Sequence, residues 1–505
     1  MTQEEYLKAE RAQAWREKIR RSKKNKERTE ILRAHMNEVD AKERIRSQSI
    51  EVNTGLTAEQ ALTEASRCLD CANPTCVSGC PVNINIPKFI KCIEVGNVIM
   101  AGATLKESSA LPSVCGRVCP QEKQCEANCF YSVKINKPSV AIGNLERYAA
   151  DYCLSTSTPI STKSKPRSNG IKVAAIGAGP ASLSFAGDMA QNGYDVTVFE
   201  ALHEVGGVLK YGIPEFRLPN MLVDKELKNL ENWGVKFVTN FIVGRTASFE
   251  QLEEEGYQAF FIGSGAGLPR FMNIEGENLN GILSANEYLT RVNLMNAQRE
   301  DYDTPVLLGK NVAVVGGGNT AMDAVRTAKR LGADRAMIIY RRSMEEMPAR
   351  QEEIKHAQEE GVEFINLANP VRYEGNELAF VDKMFIQQME LGEPDASGRR
   401  KPISIEGSEV MIEVDTVVVA VGVSPNPLIP LSLPKLQVSK WGTVEADKHT
   451  LQSSIPNIFA GGDIVRGGAT VIQAMGDGKR AAKGMHNYLN SVHGVEELRD
   501  DWKNF

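Results

Sequence analysis

The sequence predicts an α/β protein in which two doubly wound parallel-sheet units follow an all-helical N-terminal domain, the second unit inserted into the first. Three observations predict it. Two short, mainly apolar runs, Ile171–Ile176 and Asn311–Val315, each lead into a glycine-rich turn and then a helical pattern. A later apolar segment, Ile458–Ala460, returns before Gly461-Gly462-Asp463, as a strand rejoining an interrupted sheet would. Eight of the ten cysteines fall in two blocks, at residues 68–80 and 115–129, among short helical patterns.

Composition sets the outer limits. The 505 residues allow two or three domains, and 59 basic against 64 acidic side chains give no general argument for a nucleic-acid partner. No apolar run approaches the roughly 20 residues that span a bilayer. No apolar leader precedes the first charges, and a chain this long needs no disulfide framework, so a reducing cytoplasm is expected.

Residues 1–50 carry 14 Lys or Arg and 9 Asp or Glu, a composition open to a solvated helix or a mobile arm but read first as a charged helix face lying against the body or a neighbouring subunit. Thr57, followed by Gln60, forms a capping box that starts a helix ending at Cys68 and Cys71. A second helix is expected from Pro87 to about Val98, with Cys92 and Cys153 as buried small apolar side chains. The cysteine blocks are Cys68-x2-Cys71-x4-Cys76-x3-Cys80-Pro81 and Cys115-x3-Cys119-x5-Cys125-x3-Cys129. Thiolates at this density are soft metal ligands, and these gaps favour iron-sulfur clusters, with structural zinc the alternative.

A Pro/Ser/Thr/Lys segment from Ser155 to Asn169 links this region to the first unit. There Gly177, Gly179, Pro180 and Ala181 form the turn, and the strand Asp195–Phe199 ends at Glu200. Glycines allow close backbone approach, the helix N-terminus receives a pyrophosphate, and the acid accepts ribose hydroxyls, which together make a dinucleotide site. Ser182 replaces the usual third glycine and implies looser helix packing. The second unit turns at Gly316, Gly318, Asn319 and Thr320, and its next strand, Ala336–Tyr340, leads into Arg341 and Arg342. Two guanidinium groups in place of a carboxylate suit the 2'-phosphate of NADP. In the returning segment, Gly462 and Asp463 are suited to a flavin ribityl or phosphate region, and the amides of Thr470 and Val471 to its ring. The expected division is an extension over 1–50, a cysteine domain over 51–165, a first unit over 170–305 and 415–505, and an inserted unit over 306–414.

Together with Gly206-Gly207, Tyr211-Gly-Ile-Pro-Glu-Phe-Arg-Leu-Pro219 and Tyr340-Arg-Arg342, these motifs resemble the small subunit of NADPH-dependent glutamate synthase. Related proteins are the N-terminal half of dihydropyrimidine dehydrogenase and NADPH:ferredoxin oxidoreductase subunits. The resemblance runs from about Glu51 to Asn490. It implies two glutathione-reductase-type Rossmann domains, FAD in the first and NADPH in the second, and two [4Fe-4S] clusters in the helical domain. One cluster would take Cys68, Cys71, Cys76 and Cys129, and the other Cys80, Cys119, Cys125 and an oxygen ligand matching Glu146, leaving Cys115 unligated. Gly207 would bind the cofactor, and Glu204 and Arg217 would shape the flavin pocket. The implied activity is hydride transfer from NADPH to FAD and single-electron transfer onward, with no side-chain acid or base. The acceptor would be the FMN- and iron-sulfur-bearing large subunit, for glutamate synthesis from 2-oxoglutarate and glutamine. A ferredoxin-type or sulfide-linked partner is the alternative. The cluster containing Cys80 is expected near the docking surface, and an oligomer is possible on sequence grounds.

Overall fold

A computed structural model describes residues 2–156, 165–299, 301–396 and 398–494. Most of the expected 155–169 linker lies outside these residues. Two five-stranded parallel sheets organise the α/β part. In the first, the order is 458–460, 257–262, 172–176, 195–199 and 236–238. In the second it is 363–366, 335–340, 311–315, 416–419 and 282–284. Both central strands are almost fully buried runs of Val, Ala and Ile, as parallel strands covered on both faces require. The last strand, Ile458–Ala460, pairs with Tyr257–Ile262, so the chain re-enters the first sheet after building the second.

Sheet membership moves both edges of the inserted unit. Ile282–Ser284 and Thr416–Val419, assigned by sequence to the first unit, hydrogen-bond to each other and extend the second sheet. Ile282–Ser284 is only three residues long, and its continuation is a helix capped by Ser284 and Glu287, so no apolar run marks it. An antiparallel sheet of 368–375, 381–394 and 400–413 also lies within the insertion.

In the helical domain, Thr57 and Gln60 form the expected capping box, and Cys68 caps the helix Ala58–Arg67. The single helix expected from Pro87 to Val98 is broken. It ends at Glu94, and Gly96 (φ +75°) with the Asn97 cap starts a second helix, Val98–Ser108. Cys92 and Cys153 are buried within apolar packing. One continuous core joins this domain to a face of the first sheet, from Leu105 and Val114 through Phe185 and Phe261 to Met475 and Met485. The cysteines are therefore packed onto the first nucleotide unit.

Residues 3–30 form three short helices, Gln3–Arg11, Ala14–Ser22 and Asn25–Glu30, and they are not a solvated arm. Arg16, Arg28 and Arg44 are at most 2% exposed and are tied to carboxylates or backbone carbonyls of the body. Arg44 reaches Glu360 at 2.8 Å, so the extension also staples the cysteine domain to the inserted unit. Among the described residues, no helix is long and apolar enough to cross a membrane.

Candidate functional site

The cysteines gather into two groups. Cys68, Cys71, Cys76 and Cys129 line one apolar pocket, walled by Pro74, Ile86, Ile90, Phe130 and Tyr131. Cys71 and Cys76 are half-buried, so this group lies toward the surface. The second group lies deeper. Cys80, Cys115, Cys119, Cys125 and Glu146 are all buried, and the three thiols Cys80, Cys119 and Cys125 each feel the Glu146 carboxylate. The expectation that the Cys80 group lies near the outer surface is thus reversed, because the turn Cys80–Pro81 packs against the C-terminal helix Val471–His493. A Cβ at Gly476 in that helix would stand 2.7 Å from the Pro81 carbonyl oxygen.

Burial favours the protonated form of Cys68, Cys76, Cys80 and Cys125 in the metal-free protein. Cys68 and Cys80 are pushed up to about 12, and Cys76 and Cys125 well above the usual thiol range. Cys119 is raised first by its hydrogen bond with Cys115 and then by burial. Such thiols become ligands only when a metal's positive charge displaces their protons. A tetrahedral zinc site, with bonds of about 2.3 Å, needs sulfurs about 3.8 Å apart. Among the described residues no three cysteine sulfurs all lie within 4.8 Å of one another.

Glu146 tests the fit. Burial raises its carboxyl to about 8, and its Oε1 is enclosed without a hydrogen-bond partner. An unpartnered carboxyl among three thiols is costly unless it has a positive ligand to bind. Cys115 has other company: the Ser109 hydroxyl at 3.7 Å, the Met475 sulfur at 3.6 Å, and Cys119.

The first glycine turn lies on the far side of the Val471–His493 helix. Gly179 opens the helix Pro180–Gln191, and a Cβ there would meet nothing within 4 Å, leaving the helix N-terminus free for an anion. Gly207 adopts φ +56°, and a Cβ would come 2.9 Å from Gly179 Cα, so the two loops need glycine to approach. Ser182 is buried without looseness, because Gly263 opposite leaves it room: a Cβ there would lie 2.2 Å from its hydroxyl. Glu200 accepts the amides of Ala178 (2.7 Å) and Leu202 (2.8 Å), and burial raises its carboxyl. Asp463, after Gly462, is pushed up to about 6 by burial. Tyr211, which sequence reasoning missed, lies where burial and then Asp463 and Glu200 raise its phenol to about 12. Thr470 caps the long helix, and its hydroxyl accepts Gln124 Nε2 at 3.4 Å, beside Cys125. Val471 begins that helix.

Arg217 has a different setting from the expected flavin pocket. It is buried, bonded to both Asp323 oxygens at 2.6 and 2.7 Å and 3.2 Å from Glu353, and so fastens the Tyr211–Pro219 motif to the inserted unit. In the second turn, Gly316 adopts φ +144° against the Ala420 carbonyl, and Gly318 faces open space. Asn319 Oδ1 accepts the Arg350 amide at 2.9 Å, and Thr320 is exposed at the helix start. Arg341 and Arg342 part company. Arg341 is exposed, whereas Arg342 is buried, donating to Asp395 (2.6 Å) and the Arg400 carbonyl (2.7 Å) of the antiparallel sheet. Glu346 is taken by Arg400.

Residues 45–158 match the family described as dihydropyrimidine dehydrogenase domain II, 4Fe-4S cluster, and residues 171–478 match pyridine nucleotide-disulphide oxidoreductase. With this fold, they define an NADPH-dependent flavin and iron-sulfur oxidoreductase. The chain is 38% identical to the glutamate synthase [NADPH] small chain of Azospirillum brasilense, over 88% of this chain and 92% of that one. It belongs to that family. It is also 35% identical to the NADPH-Fe(3+) oxidoreductase subunit beta of Geobacter sulfurreducens, over 92% of this chain and 70% of the relative. The solved structure of Mycobacterium tuberculosis FprA in complex with NADPH shares the fold of the nucleotide units, with 20% identity, TM-score 0.53, and coverage of 66% of this chain and 88% of that one.

Proposed function

We propose that the first unit holds FAD at Gly177, Gly179, Glu200 and Asp463, the second holds NADPH, and the helical domain holds two [4Fe-4S] clusters that lead electrons to a partner. When bound, FAD would accept one hydride, and with it two electrons, from NADPH and release the electrons singly to the clusters. This chain's residues place, insulate and ligate. Glu146 with Cys80, Cys119 and Cys125 would hold the inner cluster, and Cys68, Cys71, Cys76 and Cys129 the outer one. The observation that carries the reading is the position of the inner group, packed through Pro81 and Cys115 on the helix Val471–His493, where a Cβ at Gly478 would stand 2.0 Å from the Ala181 carbonyl oxygen of the first nucleotide loop. Buried thiols nearest the flavin unit and half-buried ones nearest solvent define an inward and an outward end.

The acceptor favoured by the family is the FMN- and iron-sulfur-bearing large subunit, for reductive glutamate synthesis from 2-oxoglutarate and glutamine. A ferredoxin-type acceptor is the second reading, favoured by the NADPH-Fe(3+) oxidoreductase relative. Iron, acid-labile sulfide and flavin analysis tests the core proposal: iron and sulfide for two four-iron clusters with one FAD per chain are expected, and zinc without flavin would refute it.

Two substitutions test the site assignments. Cys115→Ser should keep all the iron, whereas Glu146→Ala should lose the inner cluster, since Cys115 is already engaged and Glu146 is not. Iron quantification with EPR reads both, and iron loss in Cys115→Ser would exchange the two roles. Arg341→Ala should raise the KM for NADPH by about 10–100-fold with little change for NADH, the worth of one charge-assisted phosphate contact. Arg342→Ala should act less on KM, because its guanidinium is already spent on Asp395.

A further inference from the structure

Asp70 stands between two proposed ligands, Cys68 and Cys71, with a left-handed backbone (φ +50°) and no exposed surface. A buried non-glycine residue at positive φ persists only where its surroundings hold it. Here the holding groups come from the first twenty residues. Arg16 bonds both Asp70 oxygens, its Nε at 3.4 Å from Oδ2 and its Nη2 on Oδ1. Arg20 Nη1 donates to Oδ2 at 2.6 Å and to the Arg11 carbonyl at 2.9 Å, and Arg11 Nε donates to the Asp70 carbonyl at 2.7 Å.

The same loop is charged from behind. Lys91, fully buried, donates to the Cys68 carbonyl at 2.5 Å and to Glu94 at 2.5 Å, and Glu94 also receives Arg28 at 2.7 Å. Five cations (Arg11, Arg16, Arg20, Arg28 and Lys91) therefore face two carboxylates, Asp70 and Glu94. Other acids of these helices have cations of their own, Glu10 with Lys88, Glu17 with Arg21 and Glu64 with Arg67. Structural anchoring of the loop would need only one of these arginines. Three on one aspartate leave an excess of positive charge, much of it buried, where screening is weak. A four-thiolate [4Fe-4S] site is anionic and gains a further negative charge on reduction, so nearby cations favour its reduced form.

We propose that Arg11, Arg16 and Arg20 are positioning residues for the cluster at Cys68, Cys71, Cys76 and Cys129: they fix the ligand loop through Asp70 and raise that cluster's reduction potential, drawing electrons outward. The inference rests on the ligand assignment above and gives the N-terminal extension a redox role.

The test is an EPR-monitored redox titration of the full-length holoprotein after its iron and sulfide have been measured. Arg20→Gln, the least buried of the Asp70-binding pair, should shift the reduced-to-oxidised ratio of one cluster on the order of tenfold toward oxidised at fixed poise. That corresponds to about 59 mV for a one-electron couple. Asp70→Asn should move the same cluster the opposite way, and Arg20→Lys should stay near the parent. Purely structural anchoring predicts no opposed signs. Full iron with an unmoved potential in Arg20→Gln, or a shift of the same sign as Asp70→Asn, overturns the proposal. Should Arg20→Gln lose iron, Arg20→Lys decides: full iron at the parental potential supports the proposal, and loss of iron or a lowered potential overturns it. Cys71→Ser separates this from the ligand assignment, since that variant must lose one cluster, and retention of all iron would defeat the assignment whatever the arginines do.

Discussion

Cys125→Ser should purify with FAD and about half the iron, be reduced by NADPH at the flavin at the parental rate, and reduce a protein acceptor on the order of 100-fold more slowly. Loss of an outer hydrogen-bond partner alone costs a metal site about 10–100-fold in affinity, and here the ligand itself is removed. The site leaves little scope for repair. Cys125 lies beside Glu126, Cys80, Glu146 and Cys76, and burial first and then the neighbouring Glu126 raise its thiol. Serine offers a hard oxygen where a soft thiolate is needed. Because the inner group lies between the flavin unit and the outer group, its loss interrupts transfer without touching hydride entry. Rapid-mixing absorbance at the flavin and steady-state acceptor reduction measure the two halves separately. A variant slowed equally in both would place Cys125 outside the path.

Arg326→Met should destabilise the contact between the two nucleotide units by about 3–5 kcal/mol, the usual cost of stranding buried carboxylates by removing one partner. Arg326 is fully buried, bonds Glu353 and Glu360, and stacks 4.6 Å from the Phe216 ring, with Arg330 at 4.2 Å from the same ring. Phe216 and Arg217 belong to the first unit, so the arginines lock the insertion onto it. Burial alone would raise Glu353, but Arg217 and Arg326 hold it down to about 2. A depressed carboxyl contributes stability above its unfolded value, and that contribution is lost as pH falls from about 4.5 toward 2. In Arg326→Met this acid-side loss should shrink, since Glu353 is no longer held so low. Thermal midpoints across pH give both readings, and an unchanged midpoint at neutral pH would show the lock to be redundant.

Legibility in the sequence followed distance along the chain. The capping box at Thr57 and Gln60, the strands opening each glycine turn and the returning Ile458–Ala460 depend on residues a few positions apart, and local patterns reveal them. The missed features join residues far apart. Arg342 looked like half of a phosphate clamp until Asp395, 53 residues on, occupied it, and Arg217 looked like a flavin residue although Asp323, 106 residues on, holds it. The extension reads in sequence as a charged face lying against the body, and it does so, but its acceptors, Asp70 and Glu360, lie in other elements and no local pattern names them. Which cysteine group faces outward was equally invisible, since spacing carries no information on burial. Glu146 was reachable only through family resemblance. Its enclosed, unpartnered oxygen gives that assignment a physical basis.

The central claim is that electrons enter at the nucleotide units and leave through the cysteine groups. Anaerobic mixing of the purified holoprotein with NADPH, freeze-quenched for EPR and followed in parallel by absorbance, tests it most directly. The account predicts loss of oxidised-flavin absorbance first and an iron-sulfur EPR signal after it, with the later signal reduced in Cys125→Ser. Flavin reduction with no iron-sulfur signal at any time, or an iron-sulfur signal that precedes flavin reduction, would contradict it.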